Sequence, residues 1–524
     1  MNGPTPKMNS PPERSQLPAE ANQRMDPRAP SAPTSRPIAG PRTTPSSPMV
    51  TPTQTSSGRN ARPDDARDLA QQAFSRSAGA PLVDGNRIGL LRDAAENYPA
   101  WLAAIGGATR RVHFENYIFS DDGIGGKFAA ALIERAQAGV AVRVIYDWLG
   151  TFRKSSRSFW ARLREGGVEA RCYNPPQLGS PFGWVSRDHR KLLVIDGQVG
   201  FVSGLCVADT WLRDPEKKIA AWRDTGVHLM GPAVADLEES FARVWAMTGS
   251  PLPESDLPAQ GDTPSVGDVS VRIVATEPAT ADMLRLDQLV VAFARERVWL
   301  TDAYYVGAPM YVQALIMAAR DRVDVRMLLP RSTDIPLLKV VSRAGYRPLL
   351  EAGVRIFEWN GPFLHAKTAV VDRRWSRVGS TNLNLASWMG NCELDVVVED
   401  EPFTSQMEAM YLADLANATE IVLAAKRKMR ATETVPRPRL RSRMGSTGHA
   451  AAGAARIGNV LGAALANRRV IEPIERRLLA WSGLILLVFA GLFVFFPRVF
   501  AYPAGIMLTW LALALLYRSI RLRR

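Results

Sequence analysis

The sequence predicts an α/β protein whose central part consists of two similar halves related by a pseudo-twofold axis, each a mixed sheet flanked by helices. Two observations predict this fold class. The short pattern H-x-K-x-x-x-x-D occurs at 189–196 and again at 365–372, and each copy runs into an apolar segment. Around both copies, strand-like segments alternate with helix-like segments in the same order. Two such units predict a site shared between the halves, close to the axis.

The first half alternates between strand and helix. Stretches rich in β-branched and aromatic residues predict strands, and stretches rich in Ala, Leu, Glu and Arg predict helices. In chain order we expect a strand at 88–91, a helix at 95–105, a strand at 111–119, a helix at 128–138 and a strand at 140–146.

The second half repeats this order, with strands predicted at 271–274, 297–305 and 323–328. The dipeptide Gly167-Val168 recurs as Gly353-Val354, at the same separation as the matching strands. Between the halves, residues 249–268 are rich in Pro, Gly, Ser and Asp, which predicts a linker. We therefore expect a first half at 65–248 and a second half at 269–425.

The repeated motif carries the chemistry. Side chains alternate faces along a strand, so His189 and Lys191 point the same way, and so do His365 and Lys367. Two such strands would place two imidazoles and two ammonium groups around one small anion. A phosphoryl group fits this arrangement, because Lys supplies charge and donors while His can attack phosphorus or move a proton. One copy could be a solvated strand face, but two copies with matching apolar runs favour a site.

The aspartates that close the motifs, Asp196 and Asp372, have two interpretations. They belong to the repeated pattern, which makes them candidate catalytic residues. Each also lies between two apolar runs, as a residue of a hairpin turn does.

Small residues follow each aspartate at the same distance and are candidate substrate-binding residues. They are Ser203 with Gly204 in the first half, and Gly379 with Ser380 in the second. Small residues let backbone amides approach a phosphate, and a hydroxyl can donate to it. Asn382 adds an amide donor in the second half, whereas its first-half equivalent is Cys206, a poor donor.

Two acidic residues, Asp224 and Glu393, occupy matching places before Val-rich strands. A carboxylate that accepts from one imidazole nitrogen selects the tautomer and raises the basicity of the ring. For Asp224, an ion pair with a nearby Arg is an alternative role.

Composition points to an anionic partner. The 524 residues carry a formal net charge of +14, which suits nucleic acid or an anionic membrane surface. Three cysteines, an odd number, form neither a disulfide framework nor a metal-ligand spacing, and they favour a reducing compartment.

The two ends differ from the middle. Residues 1–64 are rich in Pro, Ser, Thr and Arg, which predicts a disordered tail. A basic linker at 426–477 precedes two uncharged apolar runs at 478–496 and 499–517, each long enough to span a bilayer as a helix. Arginines flank the outer ends of this hairpin more densely than its connection, which predicts that both ends and the folded halves lie on the cytoplasmic side.

The duplicated motif, the run Gly379-Ser380-Thr381-Asn382 and Glu393 resemble the phospholipase D superfamily. Within it, Phe114-Glu115-Asn116-Tyr117, the segment 189–197 and the segment 222–227 resemble bacterial cardiolipin synthases. The resemblance covers roughly residues 65–425. It implies two phospholipase D-like α/β halves, here followed by a C-terminal transmembrane hairpin.

The resemblance also implies a two-step transfer through a phosphohistidine, without a metal or other cofactor. His189 would be the nucleophile, and His365 would protonate the leaving alcohol and then deprotonate the incoming one. Lys191 and Lys367 would hold the phosphoryl oxygens, helped by Ser380 and Asn382. The leading hypothesis is an enzyme of the bacterial inner membrane that joins two phosphatidylglycerols into cardiolipin and releases glycerol.

Three alternatives stay open. The enzyme could hydrolyse phospholipids to phosphatidic acid, or it could cleave nucleic acid as other members of the superfamily do. The C-terminal hairpin argues against a nucleic-acid partner. A non-catalytic scaffold that binds anionic lipid is a third possibility, against which both intact His-Lys pairs argue. The sequence leaves the oligomeric state and the acyl-chain preference open.

Overall fold

The computed structural model describes residues 63–176, 185–212, 220–257 and 263–423, together with short helical stretches between 484 and 513. Of the predicted tail at 1–64, all but the last two residues lie outside the described residues, as does the basic linker at 426–477. The predicted hairpin at 478–517 lies largely outside them. Among the residues that the structure describes, no helix combines the length and the apolar character needed to cross a bilayer.

The strands form one mixed sheet. In chain order they are β1 Val83–Arg92, β2 Arg111–Asn116, β3 Ala141–Asp147, β4 Glu169–Tyr173, β5 Lys191–Ile195, β6 Val199–Ser203, β7 Thr225–Met230, β8 Val269–Thr276, β9 Arg297–Thr301, β10 Asp324–Pro330, β11 Arg355–Trp359, β12 Thr368–Val371, β13 Trp375–Gly379, β14 Glu393–Glu399 and β15 Ala418–Ile421. Their order across the sheet is β15-β11-β10-β9-β12-β13-β14-β8-β1-β7-β6-β5-β2-β3-β4.

This order displays the duplication. Counting outward from the central pair β8-β1, the strands on one side match those on the other, and β15 is an addition at one edge. In each half the outer strands (β2-β3-β4, β9-β10-β11) are parallel, while the inner ones (β5-β6-β7, β12-β13-β14) are antiparallel. The prediction of a mixed α/β fold is confirmed.

The expectation of a separate sheet in each half is wrong. Strands β1 and β8 pair antiparallel, with Val83 opposite Val271 and Asn86 opposite Val269, so one sheet runs through both halves. This pairing satisfies backbone groups that would otherwise form two exposed sheet edges.

Helices cover both faces of the sheet. They are α1 Pro63–Ala78, α2 Asp93–Gly106, α3 Gly123–Gln137, α4 Trp148–Thr151, α5 Arg157–Glu165, α6 Val234–Met247, α7 Asp282–Phe293, α8 Pro309–Arg320, α9 Pro336–Ala344, α10 Tyr346–Ala352, α11 Leu385–Met389 and α12 Glu401–Leu415. Several begin at a side-chain cap: Asp122 accepts from the backbone N–H of Gly125, and Asp400 from that of Phe403. The cap at Asp122 explains why α3 begins earlier than the expected 128.

The repeated Gly-Val dipeptides have one structural role. Gly167 lies between α5 and β4 with φ +91°, and Gly353 lies between α10 and β11 with φ +99°. A residue with a Cβ rarely adopts this left-handed conformation, so both helix ends require glycine.

The two halves share a hydrophobic core. One cluster of buried residues contains Val194, Phe241 and Trp245 of the first half together with Val396 and Met407 of the second. The shared core and the common sheet fix the positions of the two motifs relative to each other.

Candidate active site

Each motif histidine is held by the backbone of the opposite half. The N–H of His189 donates to the carbonyl of Cys392 at 2.9 Å, and the N–H of His365 donates to the carbonyl of Arg223 at 2.7 Å. Strand β5 begins only at Lys191 and β12 only at Thr368, so each histidine precedes its strand. The peptides that hold the histidines are those directly before Glu393 and Asp224.

The carboxylates are therefore exchanged between the halves. Nδ1 of His189 lies 2.9 Å from Oε2 of Glu393, and Nδ1 of His365 lies 2.7 Å from Oδ2 of Asp224. Because each Nδ1–H donates to a carboxylate, Nε2 is the ring nitrogen left to act on a ligand. The structure thus brings both predicted carboxylates to the histidines, and Asp224 forms this pair rather than an ion pair with Arg.

Each carboxylate also accepts hydrogen bonds from other groups, and these donors differ between the halves. Glu393 also accepts from the hydroxyl of Ser380 at 2.6 Å and from the amide of Asn391 at 3.1 Å. Asp224 accepts from the indole N–H of Trp211 at 2.9 Å. Both carboxylates stay ionised: burial acts to raise their pKa values, but the histidine and lysine neighbours outweigh it and lower them.

Gly204 is the first-half equivalent of Ser380, and its lack of a side chain is required. A Cβ at this position would meet Oδ1 of Asp224 at 2.1 Å. In the second half the same place holds a serine that donates to the longer Glu393. Each half therefore fits its small residue to its own carboxylate.

The two lysines are fully enclosed beside the histidines. Nζ of Lys191 donates to the carbonyl of His189, and Nζ of Lys367 donates to that of His365. Each ammonium also lies near a tyrosine ring, with Lys191 at 5.2 Å from the centroid of Tyr117 and Lys367 at 5.7 Å from that of Tyr304. Burial and the charge of Lys191 lower the pKa of Lys367 to about 8, although Asp224 opposes them.

Both histidines are neutral at neutral pH. Burial is the largest cause that lowers the pKa of His189, and the charges of Lys191 and Lys367 add to it against the opposing effect of Glu393. Burial and Lys367 lower the pKa of His365 to about 3, although Asp224 raises it. Since each histidine senses the lysine of the other motif, the two motifs form one electrostatic unit.

The two imidazoles line a single cavity of about 320 Å³. Its other walls include aromatic and polar side chains from both halves: Tyr117, Lys154, Arg187, Cys206, Trp211, Trp222, Tyr304, Asn382, Asn384 and Asn391. A cavity of this size accepts a headgroup-sized ligand.

The predicted substrate-binding residues divide into two groups. Asn382 lines the cavity, and its Oδ1 has no hydrogen-bond partner among the described residues. Ser203, Gly379 and Ser380 lie outside the lining and are buried in the supporting structure. Ser203 accepts from the N–H of Leu205 at 3.1 Å, and Gly379 packs directly against Asp395. In this structure all three support the site from behind its walls, and direct contact with substrate stays a prediction.

Asp196 and Asp372 do not reach the cavity. Asp196 accepts from the backbone N–H groups of Thr109, Arg110 and Arg111 at 2.8 to 2.9 Å. Asp372 binds the three N–H groups of 295–297 in the same way, at 2.7 to 2.9 Å. Each lies at the far end of its strand, about 16 Å along the chain from the motif lysine. The catalytic expectation is therefore corrected: both aspartates fasten a hairpin turn to the loop before β2 or β9.

The sequence interpretation missed several residues around the site. Arg190 is fully buried and donates to the carbonyls of Glu393, Ser240 and Thr276, thereby joining the two halves beneath His189. Its place inside the first motif was a signal that could have been used, since an Arg between His and Lys on an apolar strand needs buried acceptors.

A pair of buried carboxyl groups, Glu115 and Asp188, was also missed. Both are completely buried, and burial together with the charge of Glu115 raises the pKa of Asp188 well above its ordinary range. Burial likewise raises the pKa of Glu115. Nothing in the sequence shows that these two residues meet, because they belong to separate segments.

Within the described residues, no group of three or more His, Cys, Asp or Glu is arranged to hold a metal ion. Two histidines with a bound carboxylate each, two buried lysines and one shared cavity define the site of a phospholipase D-type phosphodiester-transfer enzyme.

Comparison with known proteins gives the family. The family model described as "Cardiolipin synthase, PLD-like domain" matches residues 101–245 and 291–415, and the chain belongs to this family. The predicted resemblance to the phospholipase D superfamily and its cardiolipin synthases is confirmed, and the chain is a phospholipase D-type phosphatidyltransferase.

Individual relatives agree with this assignment. Cardiolipin synthase A of Pseudomonas aeruginosa is 35% identical over 363 residues, which are 68% of this chain and 73% of the relative. Cardiolipin synthase of Alkalihalophilus pseudofirmus is 31% identical over 345 residues, 65% of this chain and 68% of the relative. Phosphatidylserine synthase of Haemophilus influenzae shares the fold, with a TM-score of 0.51 at 12% identity over 67% of this chain and 92% of that one.

Proposed function

We propose that the protein joins two phosphatidylglycerol molecules into cardiolipin and releases glycerol, through a covalent phosphohistidine. The observation that carries this proposal is the crossed arrangement of His189 with Glu393 and His365 with Asp224 at one cavity. The names of the relatives support the choice of lipid.

In the first step, Nε2 of His189 attacks the phosphorus of one phosphatidylglycerol, and the bond to the glycerol oxygen breaks. His365 gives its proton to that oxygen, so glycerol leaves as a neutral alcohol. In the second step, His365 takes a proton from a hydroxyl of the second phosphatidylglycerol. The resulting oxygen attacks phosphorus, the P–N bond breaks, and cardiolipin is released with both histidines restored.

The charges of the site bear on both reaction steps. His189 is a neutral nucleophile because burial and the two lysines lower its pKa. His365 must carry a proton for the first step, although its pKa in this structure is about 3. The phosphodiester brings a negative charge into the cavity beside the histidines, which offsets the effect of the nearby lysines and raises the pKa of His365. Substrate binding and protonation of the acid are therefore coupled.

Purified protein in vesicles that contain labelled phosphatidylglycerol tests the proposal. We expect labelled cardiolipin and free glycerol, and loss of both products in His189→Ala and His365→Ala. Phosphatidic acid as the main product would instead identify a hydrolase. Degradation of DNA without any lipid product would identify a nuclease.

We further propose that the apolar runs 478–496 and 499–517 anchor the enzyme in the bacterial inner membrane as a hairpin, with the catalytic part on the cytoplasmic side. The support is the length of the runs and the arginines that flank them, including Arg476, Arg477 and Arg518. A C-terminal reporter that functions only in the cytoplasm should be active. Release of the protein by alkaline extraction would contradict the anchor.

A further inference from the structure

Helix α9 carries an apolar stripe that faces outward. Leu337, Val340 and Val341 follow helical spacing and are 71%, 46% and 41% exposed. No residue of this helix is buried. In a globular protein an apolar stripe with this spacing normally faces the core, so an outward stripe indicates a binding surface.

The first half has a similar feature at the equivalent position. Helix α4 follows β3 just as α9 follows the matching strand β10, and near it Leu149 is 40% and Phe152 51% exposed. The ring of Phe152 packs near that of Trp148, with 5.3 Å between centroids. Both halves therefore expose apolar side chains beyond the same pair of strands.

These two segments meet at the catalytic cavity. Leu149 and Lys154 line it from the first half, and Ile335 and Leu338 line it from the second. We call the exposed apolar set Leu149, Phe152, Ile335, Leu337, Val340 and Val341 the apolar rim. The rim continues directly into the site where the phosphodiester reacts.

The charges beside the apolar rim are mainly positive. Arg153 and Lys154 are exposed on the first-half side, and Arg331 is exposed on the second-half side. The carboxylate of the nearby Asp334 accepts a hydrogen bond from the hydroxyl of Tyr304 at 2.9 Å. Apolar side chains with cationic neighbours suit the boundary between anionic headgroups and acyl chains.

The cavity volume points to the same partner. About 320 Å³ can hold a headgroup and its phosphate. The two acyl chains of a phospholipid then remain outside, and they need apolar surroundings at the mouth.

We propose that the apolar rim is the surface by which the catalytic part docks on an anionic phospholipid bilayer, with α9 lying at the boundary between headgroups and acyl chains. This inference rests on the proposed function, since a lipid substrate supplies the reason for the docking. It concerns residues of the folded halves only, and the apolar runs at 478–517 form no part of the rim.

A quenching experiment tests the docking directly. The full chain with Cys172→Ser receives a fluorophore at Leu337→Cys, or at Met317→Cys on α8 as a matched exposed control. The protein is placed in phosphatidylglycerol vesicles whose lipids carry a nitroxide high on the acyl chain. We expect quenching at 337 to exceed that at 317 by about twofold or more. Equal quenching at both positions overturns the proposal, and so does protection of 337 in lipid-free detergent that grows with protein concentration, which indicates a second copy.

Kinetics give an independent readout. Leu337→Glu combined with Val340→Glu should reduce turnover of vesicle lipid by roughly tenfold more than turnover of monomeric short-chain phosphatidylglycerol. Met317→Glu should affect both substrates equally. A loss of the same size on both substrates in the double variant contradicts docking through the rim. If the unmodified protein forms no cardiolipin from either substrate, the proposed function fails, whereas the quenching result still decides the docking.

Discussion

Replacing Asp224 by Asn tests whether a carboxylate supplied by one half controls the histidine of the other. Oδ2 of Asp224 accepts from Nδ1 of His365 at 2.7 Å and from Nε1 of Trp211 at 2.9 Å, while Oδ1 accepts from the N–H of Thr225 at 2.9 Å. An asparagine amide has one oxygen and one NH₂ group. In either orientation it therefore faces at least one of these donors with a donor of its own.

The expected loss of rate in Asp224→Asn follows from this geometry. With its oxygen toward His365, the amide loses the bond to Thr225 as well as the negative charge. With its nitrogen toward His365, it forces the imidazole proton onto Nε2. Asp224 also opposes the effects that lower the pKa of His365 to about 3, so its loss makes protonation harder still. One lost charge-assisted hydrogen bond is worth about 2–3 kcal/mol, which corresponds to a rate roughly 30- to 150-fold lower.

The assay should compare two leaving groups. Glycerol needs a proton to leave, whereas a nitrophenyl group leaves without one. If His365 is the acid, Asp224→Asn should be impaired with phosphatidylglycerol and largely restored with a nitrophenyl phosphodiester. Glu393→Gln, which perturbs His189, the proposed nucleophile, should be impaired with both substrates. Glu420→Gln, at an ion pair with Arg355 on an exposed edge strand, is the control and should keep full activity.

Three outcomes separate the possibilities. Restoration of Glu393→Gln but not of Asp224→Asn would exchange the roles of the two histidines. Restoration of both variants, or of neither, would contradict distinct acid and nucleophile roles. Full activity of Asp224→Asn with glycerol as leaving group would refute the reasoning about the crossed carboxylate altogether.

Three further predictions concern the framework of the site. Asp372→Ala should lower the free energy of unfolding by about 2–3 kcal/mol, measured in urea, while turnover stays near that of the unmodified protein; a selective loss of turnover would restore a catalytic role. Gly204→Ala should displace the carboxylate beside it and reduce turnover roughly 10- to 100-fold, whereas Gly126→Ala, with open space around it, should be neutral in the same assay. Because burial raises the pKa values of Glu115 and Asp188, their contribution to stability is complete below the unfolded pKa of about 4 and is lost as pH rises through the folded values. Glu115→Gln should weaken this dependence in urea unfolding measured from pH 4 upward, and an unchanged slope would contradict the pairing.

The sequence predicted much of the fold because the duplication is a repeated pattern. Strand order within each half follows from alternating strand and helix signals, and both motifs were located. Strands β2 and β9 ended earlier than expected, at Asn116 and Thr301, since the chain leaves the sheet there to enter the site. The joining of two sheets into one could not be foreseen, because it depends on an edge-to-edge contact between distant segments.

Contacts between distant segments also limited the prediction of the site. Both carboxylates were recognised as partners for imidazoles, but which histidine each serves depends on the exchange across the axis. The sequence alone does not show whether Asp224 forms a hydrogen bond with His189 or with His365. The outward stripe of α9 was equally hidden, since helical spacing shows that a stripe exists and not which way it faces.

The pairing of β1 with β8 bears on how substrates enter and leave the cavity. Because one sheet and one shared core run through both halves, we expect the two motifs to keep their relative positions. Both histidines line the same cavity, so the two alcohols of the proposed transfer would use that cavity in turn. Under the proposed function, the second alcohol would then enter only after the first has left.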